Sequence, residues 1–431
     1  MSFEVDEMNE NILRETLEKN KEEYIKYLSD LIAIDTQVIG HGIGGGLEKK
    51  GQEYMKELFQ FMGADEINED PMKEEVIEDS LEKHHEGNRG HNYEGRFNLY
   101  GHFKGKSRKN LMFNGHIDTM PPGELSQWNT EPHTPVILDN KLYGLGSADM
   151  KSGLMAATLA VKLIKDAGME LPVEVIISSV CDEEGGGNGS ILAAMNGLKA
   201  DGVVVCEPTN DELILAHMGF VFFKVDIKGK ANHSGGKWLG VSAIDKAIKI
   251  INELNEVEHR WLLTYKHPLL PAPNLNVGVI NGGTAGSTVP GECSFSTCIH
   301  YLPQVMTMEQ VISEFEGAVN RIADSDLWLK EHRPSITMYQ SGGAFEMEEN
   351  HDFVNTFKKS YEAVNNKAVK VVGSPAGCDS RIWKNVAGCP TIQFGPGALE
   401  QCHSVNEYVS IEQYLNAILI YAQMIMNWNQ Q

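Results

Sequence analysis

The chain is poor in positive charge. Its 431 residues hold 37 lysines and arginines against 60 aspartates and glutamates, a formal net charge of -23. That balance repels polyanions, which argues against nonspecific binding to nucleic acid or to an anionic membrane surface. An anionic small molecule stays admissible, because a local pocket can oppose the global field. Long apolar runs are also missing. None approaches the roughly 18 residues of a membrane span. The acidic opening Met-Ser-Phe-Glu-Val-Asp-Glu lacks the apolar core of a secretion signal. Cysteine is sparse: there are seven, an odd number, scattered and without a Cys-x-x-Cys pair. Reduced thiols and a cytoplasmic setting are expected. The glycine-rich piece at 41–46 lacks the Gly-Lys-Ser/Thr ending of a phosphate loop and reads as a flexible connection. No Gly-x-Ser-x-Gly elbow or Ser-His-Asp order supplies a nucleophile. Internal repeats and low-complexity tracts are absent.

What is present is enough apolar surface for a large core, with 42% hydrophobic residues. The length exceeds the usual range of one core, so two domains are expected. Helical spacing marks about 8–33, 54–61 and 156–164. Continuous apolar runs near 110–114, 173–180 and 202–206 read as strands buried on both faces. Strand–helix–strand alternation of this kind predicts an α/β fold with a mainly parallel sheet covered by helices. The pattern changes near 215. Residues 220–228 alternate apolar and polar, and a β-α-β-β-α string runs to about 323. A smaller α+β insert over 217–333 is therefore expected to interrupt a catalytic domain made of 1–216 and 334–431. Residues 66–95, acidic and then rich in His, Gly and Asn, read as a solvated excursion. His84, His85 and His91 there read as surface histidines.

The chemistry gathers at strand ends. Residues 111–118 read Leu-Met-Phe-Asn-Gly-His-Ile-Asp. Side chains at i and i+2 of a strand share a face, so His116 and Asp118 leave a buried strand together, where open α/β sheets place ligands. His116 suits a metal, with Asp118 holding its ring. Four further clusters share this logic, presenting Asp149, then Asp182 with Glu183 and Glu184, then Glu207, then His403. Adjacent carboxylates at a buried strand end repel each other and lose solvation, and a divalent cation offsets both costs. One of the pair can bind metal while the other stays free as a base. Two histidines and three carboxylates suit two zinc or similar ions with one bridging carboxylate. Cys181, Cys206 and Cys402 lie close to these residues in sequence and read as strand-end core rather than as thiolate ligands.

The clusters resemble the M20 metallopeptidases, which include acetylornithine deacetylase, succinyl-diaminopimelate desuccinylase, aminoacylases and glutamate carboxypeptidase. The resemblance rests on Asn-Gly-His-Ile-Asp-Thr-Met-Pro-Pro-Gly (114–123), Leu-Tyr-Gly-Leu-Gly-Ser-Ala-Asp-Met-Lys-Ser-Gly (142–153) and Asp-Glu-Glu-Gly-Gly (182–186). It rests equally on Cys-Glu-Pro-Thr (206–209), Gly-Lys-Ala-Asn-His-Ser-Gly (229–235) and Cys-His-Ser-Val-Asn-Glu (402–407). It implies two divalent metal ions, zinc first, with cobalt or manganese as alternatives. Asp149 would bridge them, His116 and Glu207 would complete one site, and Glu184 and His403 the other. Glu183 would be the general base and Asp118 would orient His116. The Asp149–Met150 bond would be cis. The insert would be a lid and the interface of a homodimer, with His233 reaching across to the substrate carbonyl oxygen. Arg381 would pair with a substrate carboxylate, and Asn276, the turn at 282–283 and 395–397 with Gly397 would lie near substrate.

Two positions depart from the family pattern. His300 stands where the lid strand usually carries arginine, and Ser287-Thr288 replaces the usual Asn-Val. The resulting expectation is an amidohydrolase acting on a small N-acyl amino acid, most like acetylornithine deacetylase. Desuccinylase, dipeptidase or carboxypeptidase, and a formyl-aminopyrimidine deformylase are the alternatives within the family. A noncatalytic metal-binding scaffold is the alternative outside it.

Overall fold

The computed structural model describes residues 2–429. The fold is α/β. The apolar runs form the centre of its main sheet because their side chains are covered on both faces: Asn110–His116, Glu174–Val180 and Val203–Val205 are buried almost throughout. Asn110–His116 pairs in parallel with Glu174–Val180 on one side and Val203–Val205 on the other. Thr391–Gln393 continues the parallel set beside Val203–Val205. The flanks are antiparallel. Phe97–Phe103 pairs with Glu174–Val180, Glu66–Pro71 with Phe97–Phe103, and Leu213–His217 with Thr391–Gln393. The sheet is thus mixed, with four consecutive parallel strands at its centre. Lys151–Asp166, buried along most of its length, and Ile411–Asn427 pack together as two of the covering helices.

The stretch 66–95 corrects the expectation of a solvated excursion. Glu66–Pro71 is an edge strand, and Glu74–His84 is a helix that buries Ile77. An edge strand exposes one row of backbone groups and tolerates a charged, proline-ended sequence, so no apolar alternation announced it. His91, read as a surface residue, is buried.

The chain divides into two compact units. The first comprises residues up to Leu215, Met347–Val372 and the chain from Cys378 on, and the second is Ala216–Glu346 with Gly373–Gly377. In the second unit an antiparallel sheet runs Asn274–Gly282, Glu292–Tyr301, Gly219–Lys228, Ser335–Gly342. Burial alternates along Gly219–Lys228 and Glu292–Tyr301, as it must when one face is wet. Ala243–Thr264 and Met308–Ser325 fill the dry side, and Phe315 stacks on Phe223 at 4.1 Å. Both helices start at a capping hydroxyl: Ser242 accepts from the Asp245 amide and Thr307 from the Gln310 amide. The strand Ser335–Gly342 pairs with Gly219–Lys228, so this unit runs past the boundary expected at 333. No helix among the described residues is long and apolar enough to cross a membrane.

Candidate active site

Parallel pairing has a consequence for chemistry: neighbouring strands leave the sheet at the same edge. The register sets His116 beside Val180 and Asn114 beside Val205. Beyond those positions the chain presents His116 and Asp118, then Asp182–Glu184, then Glu207. Asp149 joins them just before the helix Lys151–Asp166, and its peptide bond to Met150 is cis, as the resemblance implies. His403 comes from the loop before the last helix, with a left-handed φ of +56°. His116 Nε2 lies 3.0 Å from Asp149 Oδ1, 3.7 Å from Glu207 and 4.0 Å from Glu183. His403 Nε2 lies 2.8 Å from Glu184 and 3.5 Å from Asp149. The structure therefore brings together all five expected ligands and the expected base.

The electrostatics of this group call for a cation. His116 Nδ1 lies 2.9 Å from the Asp118 carbonyl oxygen, which can only accept, so this nitrogen carries a proton and donates. In the neutral ring Nε2 is then a bare acceptor, facing carboxylate oxygens inside a buried site. Acceptors confronting acceptors there are costly unless a proton or a metal sits between them. Burial disfavours the imidazolium of His116. The hydrogen bond to Asp149 and the charges of Glu207, Asp118 and Glu183 outweigh it and push the pKa well above the usual histidine value. Burial raises Glu183 and Glu207 well above the carboxylate range, reinforced by Asp379 at Glu183 and by Asp149 at Glu207. Burial and Asp149 likewise raise Glu184. Asp149 is the exception: burial opposes its ionisation, but His116 and His403 together hold it below its ordinary value. His403 is raised to about 9, first by its bond to Glu184. Two groups, His116–Asp149–Glu184 and His116–Glu183–Glu207, each gather their ligand atoms within 4.8 Å. Imidazole and carboxylate donors of this kind fit a divalent cation such as zinc, cobalt or manganese. No cysteine enters either group among the described residues.

The description "Peptidase family M20/M25/M40" matches residues 112–427. The chain belongs to this family. A relative from Bacillus subtilis (strain 168), N-formyl-4-amino-5-aminomethyl-2-methylpyrimidine deformylase, is 34% identical over 360 residues, covering 78% of this chain and 84% of that protein. Acetylornithine deacetylase of Vibrio cholerae serotype O1 is 28% identical over 315 residues, covering 72% and 78%. Among solved structures, a tripeptidase from Staphylococcus aureus superposes with a TM-score of 0.74 at 22% identity, covering 96% of this chain and 99% of that one. A metallo-carboxypeptidase of the M20 family from Sulfolobus solfataricus gives 0.75 at 18% identity, covering 95% and 100%. These two likenesses speak to the fold. Membership makes this chain a metal-dependent hydrolase of amide bonds.

Within the M20 site the contacts of Asp118 differ from expectation. Its carboxylate stands 3.7 Å from His116 Nδ1, and its main-chain carbonyl holds the ring instead. The carboxylate accepts the Glu183 amide at 3.3 Å and the Glu184 amide at 3.0 Å, and so orients the acidic pair. Arg381 requires a second correction. It is buried, with Nε donating to Glu86 at 2.9 Å, Nη1 to the Cys378 carbonyl at 2.6 Å and Nη2 to the Gly186 carbonyl at 3.0 Å. The guanidinium is 2% exposed and held by partners inside the protein, so this structure does not present it to a substrate carboxylate. Gly397, at a φ of +94°, packs where a Cβ would stand 3.1 Å from Ala148 and 3.3 Å from Pro208. That position adjoins the chain beside both Asp149 and Glu207.

The remaining expected residues lie in the second unit. His233 is exposed, in a two-residue strand paired with Thr288–Val289. The Gly235 amide donates to its Nδ1 at 3.1 Å, so the neutral ring carries its proton on Nε2 and presents an N–H donor. Asn276 is exposed opposite Cys298. His300 has Nδ1 3.3 Å from Asn274 Oδ1, and burial lowers its pKa. A cavity of about 600 Å³ in this unit is lined by the 282–283 turn, Thr288, Glu292 and Arg333, and holds none of the expected metal ligands.

Two residues near the metal ligands carry roles that the sequence did not announce. Glu407 is buried and accepts the amides of Gly146, Ala148 and Asp149 at 2.8, 2.7 and 3.0 Å. It lies inside the 402–407 motif, so its acidity was the available signal. Asp379 is buried, bonded to Ser190 and raised to about 6, chiefly by burial. Its place two residues before Arg381 was the available signal.

Proposed function

We propose that this chain removes a formyl-type acyl group from a small amine that lacks a carboxylate. The supporting observation is the engagement of Arg381 with Glu86, which takes away the bidentate partner an amino-acid substrate would need. His300 in place of the lid arginine, with its pKa lowered, removes a second permanent charge. The 34% identity to a formyl-aminopyrimidine deformylase, against 28% to acetylornithine deacetylase, points the same way.

In this reading His116, Asp149, Glu184, Glu207 and His403 would hold two divalent ions. When bound, such ions would supply Lewis-acid activation of the substrate carbonyl and of the attacking water. Glu183 takes a proton from the attacking water and returns it to the leaving nitrogen. Its buried setting beside Asp379 raises its proton affinity, as that exchange requires. The His233 Nε2–H donates to the substrate oxygen as negative charge develops there. The second unit serves as lid and homodimer interface, so that His233 acts on the partner's site. Water and the N-formyl amine give formate and the free amine.

The test is to strip the protein with chelator, restore zinc, cobalt or manganese, and assay a panel of N-formyl, N-acetyl and N-succinyl amines and dipeptides. Metal-dependent formate release from an N-formyl aminopyrimidine, with kcat/KM above that for N-acetylornithine, is the expected result. Faster acetate release from N-acetylornithine would establish the amino-acid deacylase instead. No hydrolysis with any metal would favour a binding scaffold.

A further inference from the structure

Asp182 immediately precedes the acidic pair. It is fully buried and adopts a left-handed φ of +61°. L side chains with a Cβ adopt that region rarely and need support to stay there. From Asp182 the chain turns sharply: the Gly187 and Asn188 amides both return to its carbonyl, at 3.1 and 3.2 Å. Glu183 and Glu184 are displayed on this turn.

Two stretches that read in sequence as connection and as solvated surface converge beneath it. From the second, His91 Nδ1 lies 2.7 Å from Asp182 Oδ2, and just beyond it Arg96 Nη2 lies 2.8 Å from Oδ1. Arg96 is itself buried and held by Glu48 through Nε at 3.1 and 3.2 Å, with a further bond from Nη2. The glycine-rich piece closes over the pair. A Cβ on Gly42 would stand 2.4 Å from His91 Nδ1 and 2.5 Å from Asp182 Oδ1. Asn188 ties the same turn to the segment carrying His91, accepting the Asn88 amide and donating to the Asn88 carbonyl, each at 3.0 Å.

We infer that Arg96 and His91 are positioning residues, which clamp the Asp182 carboxylate from two sides and so aim Glu183 at the reacting atoms. Neither belongs to the ligand cluster, so their effect on turnover passes through the backbone of the turn. The inference rests on Glu183 being the base. A small error in the placement of a catalytic group lowers the chemical step far more than it lowers binding.

The test uses the full chain loaded with the most active metal and compares His91→Ala, His91→Gln and Arg96→Lys with the parent. The expected result is a folded, metal-loaded protein with KM within about twofold. kcat should fall by about tenfold or more in His91→Ala and Arg96→Lys. His91→Gln returns a donor to Asp182 and recovers most of kcat. Wild-type kcat in both His91→Ala and Arg96→Lys would overturn the inference. So would losses that merely track folded fraction or bound metal, because a purely structural clamp predicts those. Should Arg96→Lys fail to fold, the two His91 variants decide. Glu183→Gln is assayed alongside: if it stays active, the base assignment fails, whereas an inactive Glu183→Gln beside fully active His91→Ala and Arg96→Lys sinks the clamp alone.

Discussion

His116 and Asp118 leave one strand side by side, yet the atoms that matter are not the pair expected from their spacing. The Asp118 carbonyl turns the imidazole, and its carboxylate holds the Glu183 and Glu184 amides. Asp118→Asn keeps the carbonyl and replaces one amide acceptor with a donor. A lost hydrogen bond to a charged group is worth about 1.5–3 kcal/mol. kcat should drop by about tenfold to a hundredfold through misplacement of Glu183, with His116 still binding metal. Steady-state kinetics beside metal analysis checks this, and loss of one metal would show that the carboxylate supports His116 after all. The protonation pattern gives a second prediction. Glu183, Glu184 and Glu207 are raised, and His403 is raised to about 9, so protons and metal compete for the same oxygens and nitrogens. Deprotonation is needed for ligation, so apparent metal affinity should strengthen as pH rises from about 6 toward 9. Calorimetry in two buffers of different ionisation enthalpy should register proton release, and a pH-independent affinity would contradict it.

At the scale of elements, the central strands were legible because a strand buried on both faces must be continuously apolar. The edge strand Glu66–Pro71 and helix Glu74–His84 were not, since an edge carries no such requirement. Loops were the least legible. The segment 146–149 lies in no helix or strand, and Glu407, some 260 residues away, accepts three of its amides. Glu407→Gln turns one of those acceptors into a donor aimed at amide donors. The expected cost is about 1–3 kcal/mol, seen as a lower thermal midpoint. Weaker metal retention should accompany it, because Asp149 ends the loop. A variant with unchanged metal affinity would show that Asp149 is held in place without Glu407.

At the scale of the whole molecule, Glu183 belongs to the first compact unit and His233 to the second. If the base and the oxyanion donor meet only between protomers, the site is incomplete in one chain. Glu183→Gln and His233→Ala, each inactive alone, should then regain about a quarter of wild-type activity after mixing and exchange, because half of the dimers are mixed and hold one intact site of two. Mixed dimers confirmed by sedimentation but without activity would place His233 in the same chain's site or outside catalysis.

The sequence by itself determined the α/β centre and the family, and it singled out the six chemical side chains that the fold gathers, four beside strand ends, Asp149 before a helix and His403 in a loop. Those properties are local: a continuous apolar run, then a glycine turn, then an acid or histidine, repeated in a set order. Only the tertiary structure decided what Arg381, Asp118, His91 and Glu407 touch. Arg381 meets Glu86 across 295 positions and His91 meets Asp182 across 91. Hydrogen bonds are short and directional, so the role of a polar side chain depends on the group that folding brings within about 3 Å of it. Nothing in the residues around it names that group.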